Sequence, residues 1–311
     1  MLPTDLTDPL YTDETKAREY LEAIRWPDGA TCPHCGGLPE RVTKLEGKKH
    51  RAGLYQCNEC LEQFTVTVGT LYERSHIPLN KWLLATHLLC SSKKGISSHQ
   101  LARNLGLAYR SAWFMSHRIR EGMRPLSVKG GLGGANKVVE ADETYVGGKA
   151  KNRKNHTPPK EAVVALVERG GSVRSFHVPS VNGKTLRPIL RSQIDRKSHL
   201  MTDDAGVYIP LGDEFAGHSA VNHSIEEYVR GGGFIHTNTI ENYFSIFKRG
   251  IIGTYHHVSQ KHLKRYLGEF DFRYNERMGL GVNDTDRTVK ALKGIEGKRL
   301  TYRRTGQGTD S

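Results

Sequence analysis

The spacing of hydrophobic and polar residues changes along the chain near residue 137. Before this point apolar positions recur every three to four residues, which predicts helices over 13–26 and within 96–123. Beyond it, β-rich runs predict a series of strands, at 137–146, 161–169, 172–179, 198–202 and 234–236. Amphipathic spacing predicts helices between and after them, at 185–194, 238–249 and 262–275.

The later elements follow the order three strands, helix, strand, a less regular part, strand, helix. This order is the layout of an RNase H-like α/β domain, which we expect over 131–280. In such a fold the first strand, the fourth strand and a late helix aim side chains at one point. Chemistry is therefore expected where those three elements meet.

The 96–123 segment predicts two helices around a short turn, the arrangement of a helix-turn-helix. Ser97 and Gln100 have capping-box spacing, and Gly106 should end the first helix. The second helix is expected to expose aromatic and basic groups towards DNA, namely Tyr109, Arg110, His117, Arg118 and Arg120. An ordinary helical hairpin with a solvated basic face is the alternative.

Four of the five cysteines form two C-x2-C pairs, Cys32 with Cys35 and Cys57 with Cys60. Two such pairs predict a closed, tetrahedral zinc site of structural type. Two disulfides are the alternative, but we expect a cytoplasmic protein because neither a secretory signal nor an apolar run of membrane length is visible. The fifth, Cys90, lies on a predicted buried helix and should serve in packing.

Charge favours a polyanionic partner, since 46 Lys and Arg face 33 Asp and Glu, a formal net charge of +13. A basic protein with scattered charge is the alternative. A cluster of basic residues follows the first core strand, and it is expected near the scissile DNA backbone: Lys149, Lys151, Arg153 and Lys154.

Three elements of the expected core carry acids, although strand interiors usually exclude them. Asp142 lies in the middle of the first strand, Asp203 or Asp204 ends the fourth, and Glu241 falls in the first turn of the late helix. Converging carboxylates repel one another unless cations join them, which predicts Mg²⁺ or Mn²⁺. Two such ions would clamp the attacking and leaving oxygens of a phosphoryl transfer.

Each of these acids has a competing explanation. Glu140 shares a strand face with Asp142 and is its rival, whereas Glu143 points the other way. The aspartates at 203–204 have the composition of a turn. The late-helix acid has capping-box spacing with Asn238, which alone would explain it.

Three stretches closely resemble DDE transposases of bacterial insertion sequences, in the subgroup with an N-terminal zinc ribbon. They are ADETYVGGK (141–149), MTDDAGVY (201–208) and the block at 236–278 that contains IENYFSIFKRG. The resemblance runs from about residue 15 to residue 280, nearly the whole chain. It implies an RNase H-like core that holds two Mg²⁺ ions.

The resemblance also implies individual roles. Asp142, Asp203 and Glu241 match the metal-binding acids, with Asp203 chosen over Asp204 because it stands in the matching Thr-Asp position. Lys248, seven residues after Glu241 and on the same helix face, should bind a phosphate of the DNA end. The full set of expected DNA contacts is Tyr109, Arg110, Arg118, Lys149, Lys151, Lys248 and Arg249.

We therefore predict an α/β protein in five parts, an N-terminal helix at 1–28, a zinc ribbon at 29–72, a helix-turn-helix region at 73–130, the catalytic core at 131–280 and a C-terminal tail at 281–311. The expected function is transposition, in which terminal inverted repeats are bound, DNA ends are cut by two-metal hydrolysis, and the 3′-OH is joined to target DNA. The partners are double-stranded DNA and a second copy of the chain, in a dimer or larger synaptic complex, without a membrane. A catalytically inactive DNA-binding regulator and a plain nuclease are the alternatives.

Overall fold

The computed structural model describes residues 2–126, 130–147, 160–203, 205–221 and 229–301. The chain divides into two compact units, the first built from Met1–Pro125 and Asn283–Ser311 and the second from Leu126–Val282. Among the residues described, no helix combines the length and the apolar character needed to cross a bilayer.

The first unit contains a small three-stranded sheet and six helices within its described residues. The strands, paired antiparallel in the order β1-β2-β3, are β1 (Val42–Leu45), β2 (Leu54–Cys57) and β3 (Gln63–Phe64). The helices are α1 (Pro9–Thr12), α2 (Glu14–Arg25), α3 (Leu79–Ser91), α4 (Ser98–Leu105), α5 (Tyr109–Met123) and, after the second unit, α10 (Asp284–Lys293).

Local signals locate α4 as predicted. The Ser97 hydroxyl accepts the backbone N–H of Gln100 at 3.2 Å, so Ser97 is the N-cap. Gly106 ends the helix in the left-handed region at φ +59°, where a side chain would be strained. Both ends of this helix are therefore set by its own neighbouring residues.

The C-terminal segment differs from the expected tail, because residues 284–293 form α10 and pack mainly on α3. Arg287 donates to the carbonyl of Cys90 at 2.8 Å, and Thr288 contacts the His87 ring nitrogen at 3.2 Å. Gly294 approaches so closely that a Cβ there would lie 2.2 Å from the Gly122 carbonyl oxygen. The last described residues thus complete the core of the first unit.

The second unit is a five-stranded sheet with helices on both faces. Its strands are β4 (Val138–Gly147), β5 (Lys160–Glu168), β6 (Val173–Val178), β7 (His199–Asp203) and β8 (Gly217–Val221). The helices are α6 (Gly183–Gln193), α7 (Ile209–Gly212), α8 (Asn238–Gly250) and α9 (Gln260–Asn275), and a π-helical turn, Ile251–Tyr255, separates the last two.

The sheet order is β6-β5-β4-β7-β8, with β4, β5 and β6 antiparallel and β4, β7 and β8 parallel. The side chains of α8 and α9 form one core against β4 and β5, and those of α6 and α7 form another on the opposite face. The expected closing helix at 262–275 is thus present as α9, where Leu263, Leu267 and Phe270 are buried as predicted.

One strand prediction is wrong. Residues 234–236 form only an isolated bridge, in which Ile235 pairs with Arg230. The fifth strand of the sheet is instead β8, at Gly217–Val221, in a stretch with weaker alternation. The mixed α/β class and the order of the other core elements are confirmed.

Candidate functional site

The middle of β4 brings Asp142 to the same edge of the sheet as the end of β7. The two strands are parallel, and Glu140 lies opposite Met201. The same register continued by two residues places Asp142 beside Asp203, and paired residues on neighbouring strands point to one face. Asp203 is the last residue of β7, and its Oδ1 accepts the N–H of Ala205 at 3.2 Å. Asp204 lies outside the described residues.

The third acid, Glu241, lies in the first turn of α8, which packs across β4. It is exposed, and its Oε1 accepts a hydrogen bond from the Thr237 hydroxyl at 2.9 Å. The capping-box alternative with Asn238 fails, because Asn238 is already helical and Thr237 is the N-cap residue. Capping by Asn238 therefore does not account for the acid at this position.

Asp142 shows that the three acids are within electrostatic range of one another. Burial, together with the negative charges of Asp203, Glu143 and Glu241, raises the pKa of its carboxyl to about 7. The N–H of Glu143 opposes this by donating to Asp142 Oδ1 at 2.7 Å. A neighbouring cation would therefore stabilise the charged form of this carboxyl group.

Glu140, the rival acid, is committed elsewhere. Its side chain is fully buried, and Oε1 accepts from Arg169 Nε at 2.6 Å. Glu143 lies on the other face as predicted, where the Tyr208 hydroxyl donates to its Oε2 at 2.8 Å. Burial raises the pKa of Glu143 as well. Asp142 is therefore the strand acid that remains beside Asp203 and Glu241.

Lys248 is exposed on α8, seven residues after Glu241. The neighbouring Arg249 is also exposed, and its guanidinium folds back onto the backbone and hydroxyl oxygens of Ser245. The predicted basic contacts Lys149 and Lys151, with Arg153 and Lys154, lie outside the described residues.

The four paired cysteines of the first unit come together at one point. The Sγ atoms of Cys32 and Cys60 are 3.7 Å apart, those of Cys35 and Cys57 are 3.6 Å apart, and all four lie within 4.8 Å of one another. Four thiolates at about 2.3 Å from a tetrahedral zinc ion would be roughly 3.8 Å apart, so the set fits Zn²⁺. The cysteines are unpaired as disulfides, which removes that alternative.

Backbone geometry around the cysteines supports metal binding. The backbone N–H of Cys60 lowers the pKa of Cys57 to about 7, whereas burial and the neighbouring thiols raise the pKa values of Cys35 and Cys60. Gly37 leaves space for the cluster, since a Cβ there would lie 3.0 Å from Cys57 Sγ and 3.4 Å from Cys35 Sγ. The predicted zinc-ribbon site is thus assembled by two tight turns and strand β2.

Side chains on α5 correct part of the DNA-contact prediction. Tyr109 and Arg110 are exposed, and Tyr109 stacks on His99 with ring centroids 4.2 Å apart. The predicted exposure of His117 and Arg120 is wrong, because both are buried. Arg118 is half-buried, lying over the Phe114 ring and donating to the carbonyl of Glu73 at 3.3 Å. Helical spacing could not reveal this, because other elements cover that side of α5.

Comparisons with known proteins match two parts of the chain to transposase families. The family described as ISXO2-like transposase domain matches residues 132–275, and the transposase zinc-ribbon domain matches residues 12–63. The chain is 28% identical over 284 residues to an uncharacterized protein in transposable element ISH50 of Halobacterium salinarum, covering 85% of this chain and 91% of that protein.

One solved structure shares only weak likeness. A chain of the simian T-cell lymphotropic virus intasome, in complex with PP2A regulatory subunit B56 gamma, has a TM-score of 0.28 and 14% identity. The match covers 55% of this chain and 63% of that one, less than two thirds of its length. Likeness at this level supports no conclusion about fold or function.

Proposed function

Since the chain belongs to the insertion-sequence transposases that carry an N-terminal zinc ribbon, we propose that it cuts the DNA ends of its own element and joins them to target DNA. The observation that carries this proposal is the approach of Asp142, Asp203 and Glu241, from two strands and a helix, to one edge of the sheet.

The second unit, in this proposal, is an RNase H-like catalytic core. Three antiparallel strands are followed by two parallel ones, and the late helix α8 crosses the central strand β4. This topology supports the assignment because it brings the first strand, the fourth strand and the late helix to a common edge. The family match over 132–275 covers the same elements.

In this proposal the three acids hold a pair of divalent ions. Among the described residues, the cysteines are the one group of three or more potential ligands whose atoms all lie within 4.8 Å. Two ions about 4 Å apart, with bonds of about 2.1 Å, can span ligand oxygens up to about 8 Å apart. Wider spacing of the carboxylates therefore suits a two-ion site.

Bound Mg²⁺ or Mn²⁺ would activate the attacking water or 3′-OH and stabilise the leaving oxygen. Asp142, Asp203 and Glu241 would be the residues that hold these ions. Lys248, on the same helix face as Glu241, would hold a DNA phosphate beside them.

A basic helical hairpin supports DNA contact next to this site. From residue 242 to 268 the sequence has no Asp or Glu but five Lys and Arg, at Lys248, Arg249, Lys261, Lys264 and Arg265.

In the first unit, the zinc ribbon and the α4–α5 pair, acting as a helix-turn-helix, would recognise the terminal inverted repeats. Tyr109 and Arg110 are its exposed candidates for DNA contact. Holding two ends together would require a dimer or larger assembly.

The test uses the full chain with Mg²⁺ or Mn²⁺ and duplex DNA that carries the sequences flanking its gene. We expect nicking at the element ends and joining to a target duplex. Asp142→Asn should abolish both steps and leave DNA binding intact, whereas Asp213→Asn, at an exposed acid of the same unit, should change neither.

Three outcomes would contradict the proposal in different ways. Cutting by Asp142→Asn at the wild-type rate would remove this residue from the mechanism. DNA binding without any cutting would favour a regulator. Cutting without joining would favour a nuclease.

A further inference from the structure

Glu140 is a fully buried carboxylate that the proposed chemistry does not use. Besides Arg169, it accepts the Thr239 hydroxyl at 2.8 Å and the backbone N–H of Ile240 at 2.8 Å. Ile240 lies in the first turn of α8, where backbone N–H groups have no partner within the helix. A strand residue therefore caps a helix that begins 98 positions later in the chain.

Arg169 extends this contact to the segment that leads into α8. Its Nε donates to Glu140, while Nη1 donates to the carbonyl of Phe234 and Nη2 to that of His236, both at 2.7 Å. Its own backbone N–H donates to the carbonyl of Val138 on β4 at 3.1 Å. One guanidinium thus ties the start of β4 to residues 234–236 and the first turn of α8.

Other groups near the start of α8 do not replace this contact. The N-cap residue Thr237 makes no side-chain cap hydrogen bond to the helix backbone. His236 Nδ1 accepts the N–H of Asn238 at 3.2 Å, so its 3.4 Å approach to Glu140 is not a hydrogen bond in that tautomer. Within the described residues, Glu140 and Arg169 therefore help to fix where the helix starts.

The contact lies immediately beside the proposed metal ligands. Glu140 precedes Asp142 by two residues on the same strand face, about 6.6 Å along β4. Ile240, which donates to Glu140, is the residue before Glu241. The contacts of Glu140 therefore hold β4 and α8 together within two residues of Asp142 and Glu241, the proposed metal ligands.

We infer that Glu140 and Arg169 are positioning residues, which hold α8 on β4 so that Glu241 reaches the ions shared with Asp142. The inference rests on the proposed two-ion function of this site. Neither residue contacts substrate or metal in this scheme. Their loss should weaken metal binding, because groups that orient metal ligands typically change metal affinity by about 10- to 100-fold.

The experiment measures the Mn²⁺ dissociation constant of the full chain by calorimetry and the Mn²⁺ concentration that gives half-maximal DNA cutting. Glu140→Gln keeps the shape but removes the charge, and should raise both by about tenfold or more. Arg169→Lys keeps a positive charge, but its donors share one nitrogen and cannot reach the three separated oxygens that the planar guanidinium contacts, so it should give a smaller shift. Thr239→Val removes one hydroxyl donor, and should raise both by about threefold.

A matched control is Glu161→Gln, which removes a carboxylate with a hydrogen bond of similar length on the neighbouring strand, to His177 at 2.7 Å. It should leave the metal dependence unchanged. A change in metal dependence seen only in the variants at 140, 169 and 239 would therefore reflect the positioning of α8 and not a general loss of stability. Thr239→Val and Arg169→Lys remain informative if Glu140→Gln fails to fold.

The inference is overturned if the folded variants at 140, 169 and 239 show wild-type metal dependence. A different result would overturn the underlying function, namely Mn²⁺ binding that Asp142→Asn leaves unchanged. The two failures are therefore distinguishable in the same titrations.

Discussion

Asp271 offers a direct test of how burial sets the stability of the second unit. It lies on α9, and its carboxylate accepts the Tyr243 hydroxyl at 2.6 Å, the Ser175 hydroxyl at 2.7 Å and the Ser175 N–H at 2.9 Å. The residue keeps some exposed surface, but the carboxyl group, which decides the titration, is enclosed by protein. This group joins α8, α9 and β6.

Burial raises the pKa of Asp271 from 3.8 to about 6, although its hydrogen bonds favour the charged form and oppose the shift. The folded protein therefore holds this proton more tightly than the unfolded chain. The resulting stabilisation is complete below the unfolded value of 3.8 and is lost as the pH rises through about 6.

A shift of about two pKa units corresponds to about 3 kcal/mol, of which about 2 kcal/mol is lost between pH 4.5 and 7.5. Asp271→Asn does not titrate and still accepts a hydrogen bond, while the two hydroxyls can turn to accept from its amide. The free energy of unfolding of the variant, relative to wild type, should therefore rise by about 2 kcal/mol over this range.

Urea unfolding at the two pH values measures this difference, and all other titrating groups are shared by the two proteins. Asp213→Asn, at an exposed acid of the same unit, should follow the wild-type pH dependence. Parallel pH profiles for wild type and Asp271→Asn would refute the reasoning, because they would mean that burial does not oppose this charge.

Two further predictions concern the first unit. Gly294→Ala should lower its thermal midpoint, at a cost of about 1–3 kcal/mol, because the new Cβ meets a backbone oxygen at 2.2 Å. Gly279→Ala, with its nearest neighbour at 3.7 Å, is the control, and equal midpoints would contradict the packing argument. Cys57→Ser should lose the bound zinc, measured by elemental analysis, and weaken DNA-end binding, whereas Cys90→Ala should retain both. Full zinc content in Cys57→Ser would exclude that cysteine as a ligand.

Features carried by nearby residues were predictable from the sequence. The two C-x2-C pairs, the Ser97 cap, the Gly106 helix end and the β-rich run of β4 all act over a few positions, and each has its expected local structure. Asp142 could be singled out because a carboxylate is unusual inside a strand, and the order of elements suggested that the acids at 203 and 241 meet it.

Features that depend on distant residues were missed or wrong. The helix α10 has local signals of its own, including an Asn283 cap, yet its place in the core of the first unit depends on α3. His117 and Arg120 have the polarity of surface residues but are buried. Residues 234–236 do not form the expected strand; instead, the carbonyl groups of Phe234 and His236 accept hydrogen bonds from Arg169.

By itself, then, the sequence determined the cysteine pairs, the class of the fold and the acids that we propose for catalysis. Tertiary structure alone decided what each acid contacts. Strand periodicity places Glu140 and Asp142 on the same face and does not distinguish them. In the folded protein Glu140 accepts hydrogen bonds from Arg169 and from the first turn of α8, which gives it a structural role. The physical reason is that a buried carboxylate is stable only beside enough donors, and those donors come from residues far away in the chain.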